Sequence, residues 1–215
     1  VLYGGVIAQQ VCDDCWAWDG AAWTQITAGS PPGARNGASL AFEPTTGRMI
    51  LVGGDAAPPT TWALQGAQWT QVPTTRDPGL RTNAQFVEDG IGLLLHGGNS
   101  EQVGELWRFS ANDWHAVADG SPVARNEGAF GWDPVRGQAV LFGGSSLPGQ
   151  PVAMHFDDTW TYDGRWHRHA LAVHPGARSY AAFAWSPVDS ALLLFGGLPA
   201  ISNDTLPCQV HVSFE

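Results

Sequence analysis

The chain of 215 residues contains no lysine; all ten of its basic residues are arginine. That excludes a P-loop phosphate lysine and a Schiff-base lysine. Charged residues make up only 14% of the chain, against about 25% in ordinary globular domains. The charge present is acidic, with a formal net of -10. Nucleic-acid binding needs clustered cations, so that class of partner is excluded. No apolar run approaches the roughly 20 residues of a membrane-spanning helix, and the chain is not expected to span a membrane. Cysteine is confined to Cys12, Cys15 and Cys208. Cys12 and Cys15 can form a local disulfide, Cys208 can link to either of them, or the thiols can stay free. Cys12-Asp13-Asp14-Cys15 looks like half of a zinc site or a redox pair, and no second half exists in the sequence.

What the chain has is apolar and turn-forming. Hydrophobic residues are 44%, and there are 27 Gly, 15 Pro and 11 Trp. A substantial core connected by many tight turns follows. The chain opens on Val1-Leu2-Tyr3-Gly4-Gly5, which reads as a strand, with no initiating Met and no signal peptide. A processed or partial chain is expected from this. The missing lysine and the Trp/Gly/Thr-rich make-up suit a secreted protein, so the expected location is extracellular or periplasmic.

The chain repeats itself. Glycine pairs end apolar runs at Gly4-Gly5, Gly53-Gly54, Gly97-Gly98, Gly143-Gly144 and Gly196-Gly197. An arginine recurs at Arg35, Arg81, Arg125 and Arg178, and tryptophans at Trp23, Trp69, Trp114 and Trp166. A second tryptophan series runs Trp16, Trp62, Trp107 and Trp160, with Leu206 in the next equivalent place. Every series keeps a spacing of 44–53 residues and the same internal order.

Each unit carries four strand signals, A to D. Strand A follows the arginine, as in residues 36–42 and 179–185. Strand B is an unbroken apolar run such as Leu93-Leu94-Leu95, which implies burial on both faces. Strand C carries alternating aromatics and ends in Asp19-Gly20 or Asp163-Gly164, which predicts a two-residue hairpin into strand D. Four-stranded antiparallel units of this length, packed face to face, describe an all-β propeller. The Pro-x-x-Arg turn, the apolar run with its Gly-Gly, the Trp-x-Trp/Tyr-Asp-Gly and the later Trp together resemble the kelch repeat, over the whole chain. The resemblance implies a kelch-type β-propeller of four-stranded blades and one domain over residues 1–215. The strand count gives B, C and D, three complete blades, then A, B and a C within 206–214, or about four and a half repeats. Such a chain is part of a larger propeller, incomplete at one or both ends, or a five-bladed one.

A carboxylate stands two residues before the strand-C tryptophan at Asp14, Glu105 and Asp158, and at Asp204 before Leu206; the second repeat has Thr60 instead. Carboxylates and arginines that both recur once per repeat predict a buried, bidentate Arg–carboxylate pair: Arg35, Arg81, Arg125 and Arg178 with these acids. The glycine pairs are expected to turn the end of strand B and to let a neighbouring aromatic sit on bare backbone.

Function is expected on the face formed by the B–C and D–A loops, whose lengths vary, rather than on the repetitive turns opposite. His155 and Asp157, in the B–C segment 145–157, and His174, in a D–A loop, are candidate contacts; their spacing matches no recognised metal pattern, and no metal is assigned. Strand A lines the central shaft in the kelch family. Asn36, Thr82, Asn126 and Ser179 are polar there, and the next positions, Gly37, Asn83, Glu127 and Tyr180, differ from repeat to repeat. Glu127, Tyr180, Asn83 and Asn126 are therefore the candidate ligand contacts at the shaft. No catalytic cluster and no cofactor is assigned. The leading expectation is a non-catalytic scaffold binding a protein or glycan. The resemblance also allows a sugar mutarotase, a copper oxidase with a crosslinked Tyr–Cys, or a structural subunit of a larger assembly. Against the oxidase, Tyr3, Tyr162 and Tyr180 fall in different environments and no cysteine is expected to face one of them.

Overall fold

The computed structural model describes residues 1–27, 29–56, 58–98, 105–117, 122–146 and 154–199, and the backbone of 209–211. No helix occurs among the described residues, so none is long and apolar enough to cross a membrane. The first sheet holds β1 (Leu2–Ile7), β2 (Gln10–Trp18) and β3 (Trp23–Gln25). The second holds β4 (Ala38–Glu43), β5 (Arg48–Gly53), β6 (Thr61–Gln65) and β7 (Gln68–Val72). The third holds β8 (Gln85–Glu88), β9 (Leu93–His96), β10 (Leu106–Ser110) and β11 (Asp113–Val117). After the short β12 (Arg125–Asn126) come β13 (Ala129–Asp133) and β14 (Gln138–Phe142) of the fourth sheet. They are followed by the short β15 (Ser145–Ser146), then by β16 (Thr159–Tyr162) and β17 (Trp166–His169), which complete that sheet. The short β18 (Arg178–Ser179) precedes the fifth sheet, made of β19 (Ala182–Ser186), β20 (Ala191–Phe195) and β22 (Gln209–His211). Finally, β21 (Leu198–Pro199) pairs with β18, as β15 pairs with β12.

All the sheets are antiparallel meanders, and their first strands lie side by side: β4 against β8, β8 against β13, and β13 against β19. The sheets therefore radiate from a shared inner edge, a propeller-like arrangement. Consecutive residues of a strand face opposite neighbours. In β9, Leu93 and Leu95 pack with Ile50, Val52 and Ala63 of the second sheet, and Leu94 packs with Phe130 and Leu141 of the fourth. Burial on both sides explains the unbroken apolar run. Each leucine fully buried this way stabilises the fold by about 1.5–3 kcal/mol relative to exposure.

The arginines behave differently from expectation. Arg125 makes the predicted bidentate pair with Asp158, at 2.5 and 3.1 Å. Arg35, Arg81 and Arg178 meet no carboxylate within ion-pair distance among the described residues. What all four share is a hydrogen bond from Nη1 to the carbonyl of the first glycine of their own repeat's pair, Gly53, Gly97, Gly143 or Gly196, at 3.0–3.1 Å. The carboxylates have another common role: Asp14, Glu105 and Asp158 accept from the indole N–H of Trp16, Trp107 and Trp160. Thr60 does the same for Trp62, so the apparent departure of the second repeat is a substitution of one acceptor for another. Asp204 lies outside the described residues.

The glycine pairs also differ from expectation, because a carbonyl and not an aromatic ring occupies the bare backbone. A Cβ on Gly143 would stand 2.6 Å from the Arg178 carbonyl oxygen of the next sheet. The following residue, Gly144, donates its N–H to that same oxygen at 2.8 Å. Gly5 and Gly54 do the same toward Arg35 and Arg81. All four arginines thus hold their own repeat's glycine by the side chain, and Arg35, Arg81 and Arg178 also hold the previous sheet's glycine pair by the backbone.

Two turns are longer than predicted. Residues 19–22 and 163–165 separate strands C and D in the first and fourth sheets. Asp19 accepts from the N–H groups of Ala21 and Ala22, which widens the turn. The two-residue turns are instead Gly66-Ala67 and Ala111-Asn112.

Cys12 and Cys15 are free thiols rather than a local disulfide. Both lie on β2, where Cys15 points into the core beside Leu51, Leu64 and Trp69 and Cys12 is half-exposed. Burial pushes the Cys15 thiol above its ordinary pKa. Cys208 lies outside the described residues.

Candidate functional site

Between each arginine and the strand that follows, the backbone turns over one residue with positive φ. These residues are Gly37 (68°), Asn83 (58°), Glu127 (59°) and Tyr180 (58°). Strand A therefore starts later than the sequence predicts, at Ala38 and Ala182. A left-handed conformation disfavours side chains other than Gly and Asn, at about 1 kcal/mol or more. It persists at Glu127 and Tyr180 because neighbouring sheets fix it: Asn83 N–H donates to Gly37 O at 2.8 Å, and Tyr180 N–H to Glu127 O at 2.9 Å. Strain held by the surroundings and directed at a cavity is a recurrent property of ligand sites.

The four left-handed residues line one cavity of about 320 Å3 at the inner edge, on the side of the B–C turns. Ala38, Ala84, Gln85, Ala181 and Ala182 form the rest of its wall. The small alanines leave the variable side chains to define its chemistry. Ser145 Oγ lies 2.8 Å from Glu127 Oε2 and 2.7 Å from Asn126 Oδ1. The carboxylate of Glu127, by hydrogen bond and charge, raises the Tyr180 phenol above its ordinary pKa. Tyr180 itself is exposed. Asn83, Glu127 and Tyr180 are thus brought together from three different sheets. Asn126 is not beside them on the wall; it is buried beneath, and Ser145 connects it to Glu127. The reason is the positive φ of the next residue, which turns the chain so that only that residue faces the opening. The repeat variability at these positions was legible in the sequence, but their shared φ was not, since only Gly37 and Asn83 are residue types that signal it.

The other candidates separate. Asp157 and His174 approach at 3.9 Å, and both line a second cavity of about 280 Å3 with Asp158, Thr159, Arg168, His169, Ala170 and Leu171. His155 is not part of that wall, and its Nδ1 is buried without a hydrogen-bond partner among the described residues. No group of three His, Cys, Asp or Glu is placed to hold a metal among the described residues. Residues 147–153 of the B–C segment lie outside the described set.

The tyrosines stand in three surroundings. Tyr3 donates to Gly33 O at 3.1 Å, and burial pushes its pKa up to about 12. Tyr162 is buried against Trp166. One expectation is corrected: Cys15 does face a tyrosine, because it is the cross-strand partner of Tyr3. That pair lies in the wall between the first two sheets, away from the axial cavity.

No protein-family profile and no curated protein matches the chain. Among 139 solved chains of similar fold is the structure of YjhT, with a TM-score of 0.71 and 15% sequence identity. The match covers 93% of this chain and 74% of that one. At that identity the likeness concerns the fold alone, all-β and propeller-like.

Proposed function

We propose that the chain is a kelch-type propeller whose axial cavity is a ligand-binding site, and that it acts as a non-catalytic scaffold for a protein or glycan. The observation that carries this reading is the ring of left-handed residues. One backbone position in each of four consecutive repeats is held in the same unusual conformation, while its side chain changes from hydrogen to amide, carboxylate and phenol. Packing alone would favour glycine at all four. A reading surface explains the divergence: the framework is constant and the contacts are individual. An extracellular or periplasmic location suits the composition.

Binding to glycan and peptide arrays, compared between the wild type and Tyr180→Ala, tests the reading. Retention of a ligand by the wild type and its loss by the variant is the expected result. Equal binding by both overturns it. So does turnover of a sugar by the wild type that Glu127→Gln abolishes with the fold intact, because the cavity would then be an active site.

A further inference from the structure

We infer that the axial cavity takes a primary ammonium group, an inference that rests on the cavity being the ligand site. Its wall contains no arginine and no histidine. The ion pairs of the described residues use Glu43, Asp89, Asp133, Asp157, Asp158 and Asp163, and none uses Glu127. Glu127 therefore brings a negative charge to the cavity, and among the described residues no cation lines the wall opposite it. The Ser145 hydroxyl and the Tyr180 phenol are its neutral partners. A carboxylate accepts at about four lone-pair positions, so capacity remains for a ligand donor.

Desolvation of Glu127 decides between ligand classes. Any ligand that fills the cavity removes water from Glu127. A neutral saccharide can hydrogen-bond the carboxylate but leaves its charge without a counter-ion in a drier site, whereas an ammonium both donates to it and compensates the charge. A phosphate or carboxylate ligand would meet like charge and no basic side chain. The remaining wall suits a cation as well. Tyr180 is exposed and lines the cavity, and an ammonium placed over the face of a tyrosine ring gains about 0.5–1 kcal/mol or more. Asn83 Oδ1 adds an acceptor, and Gly37 leaves room for it, since a Cβ there would stand 2.8 Å from that oxygen. The net charge of -10 draws cations toward the molecule and repels anions. The ammonium can come from a lysine side chain of a protein ligand or from a free polyamine; both share this chemistry.

The test is titration of the 15N-labelled chain, followed at the backbone amides of Asn83 and Tyr180. The probes are Nα-acetyl-lysine methylamide, its Nε-acetylated form, spermidine and N-acetylglucosamine. The expected result is saturable binding of one or both free amines. The acetylated lysine should bind at least tenfold more weakly, as should the amines on Glu127→Gln, and added salt should weaken amine binding to the wild type. The tighter of the two amines identifies the source. Equal binding of the acetylated and free lysine probes, or amine binding insensitive to both salt and Glu127→Gln, overturns the inference. Binding of N-acetylglucosamine alone overturns the ammonium assignment and leaves the cavity as a ligand site. Silence of both amides toward every probe overturns both readings.

Discussion

The third sheet, with four strands, and the two end sheets, with three described strands each, share the same repeat residues and differ in what lies beside them. In the third, Trp114 is 0% exposed, packed on Phe109 and donating to Thr61 of the second sheet. Its counterpart in the first sheet, Trp23, is 54% exposed and packs on Trp18, itself half-exposed. The trailing face shows the same contrast: Phe142 is 3% exposed, and Phe195, at the same place in the fifth sheet, is 62%. Strand pairing within each of these sheets is antiparallel throughout. The stability of each sheet therefore resides largely in its contact with the next, as in other stacked repeats.

The largest effects that would break this comparison are expected from the aromatic pairs. Trp114→Ala should cost about 3–5 kcal/mol in urea unfolding, and Trp23→Ala well under about 1 kcal/mol. Equal losses would show that the end faces are covered in solution. The arginines give the next contrast. Arg125→Met strands the Asp158 carboxylate and should cost about 3–5 kcal/mol. Arg178→Met removes only hydrogen bonds to carbonyls, at about 1 kcal/mol each. The glycine pairs sharpen it further. Gly143→Ala drives a methyl onto the Arg178 carbonyl and should cost about 1–3 kcal/mol beyond the backbone strain. Gly196→Ala meets nothing within 4 Å among the described residues, so only the left-handed strain of about 1–2 kcal/mol is expected.

The smallest effect at neutral pH belongs to His96, which occupies the place of Phe142 in the third sheet. It is buried against Phe130 and Trp166, and Nε2 has no hydrogen-bond partner among the described residues. Burial, with Arg125 and Arg81 nearby, lowers its pKa from 6.5 to about 3. Between these values the unfolded chain takes up a proton that the folded one refuses. Stability should therefore fall as pH drops through that window and be unaffected by this group above it. His96→Phe should remove that part of the acid sensitivity, read as a smaller loss of unfolding midpoint between pH 7 and pH 4.

Much of this was legible beforehand, for particular reasons. The run Leu93-Leu94-Leu95 announces burial on both sides because apolar residues at consecutive positions have nowhere else to go in a strand. The spacing of Gly-Gly, Arg and Trp announces a stacked unit because residues at these positions meet fixed partners in the neighbouring copy, as the Gly143-Gly144 pair meets the Arg178 carbonyl and Trp114 meets Thr61. The partners of those residues were less legible. Arginine next to a recurring acid suggested four ion pairs, but three guanidinium groups satisfy themselves on carbonyls, which carry no signature in the sequence. Asp14, Glu105 and Asp158 act on tryptophan indoles, and Thr60 shows that an oxygen acceptor, rather than a charge, is what the position requires. Asn126 and Glu127 are adjacent, and only the sign of φ at Glu127 decides that one is buried and the other faces the cavity.

Composition and periodicity by themselves determined the antiparallel four-stranded units, the doubly buried second strands and the repeat positions free to vary. Those properties follow from local hydrophobicity and spacing, which are written along the chain. Only the tertiary structure decided that Gly37, Asn83, Glu127 and Tyr180 meet around one opening and that, among the described residues, no cation lines that wall beside Glu127. Both facts depend on contacts between residues some 45 to 140 positions apart, which the stacking of whole sheets brings together.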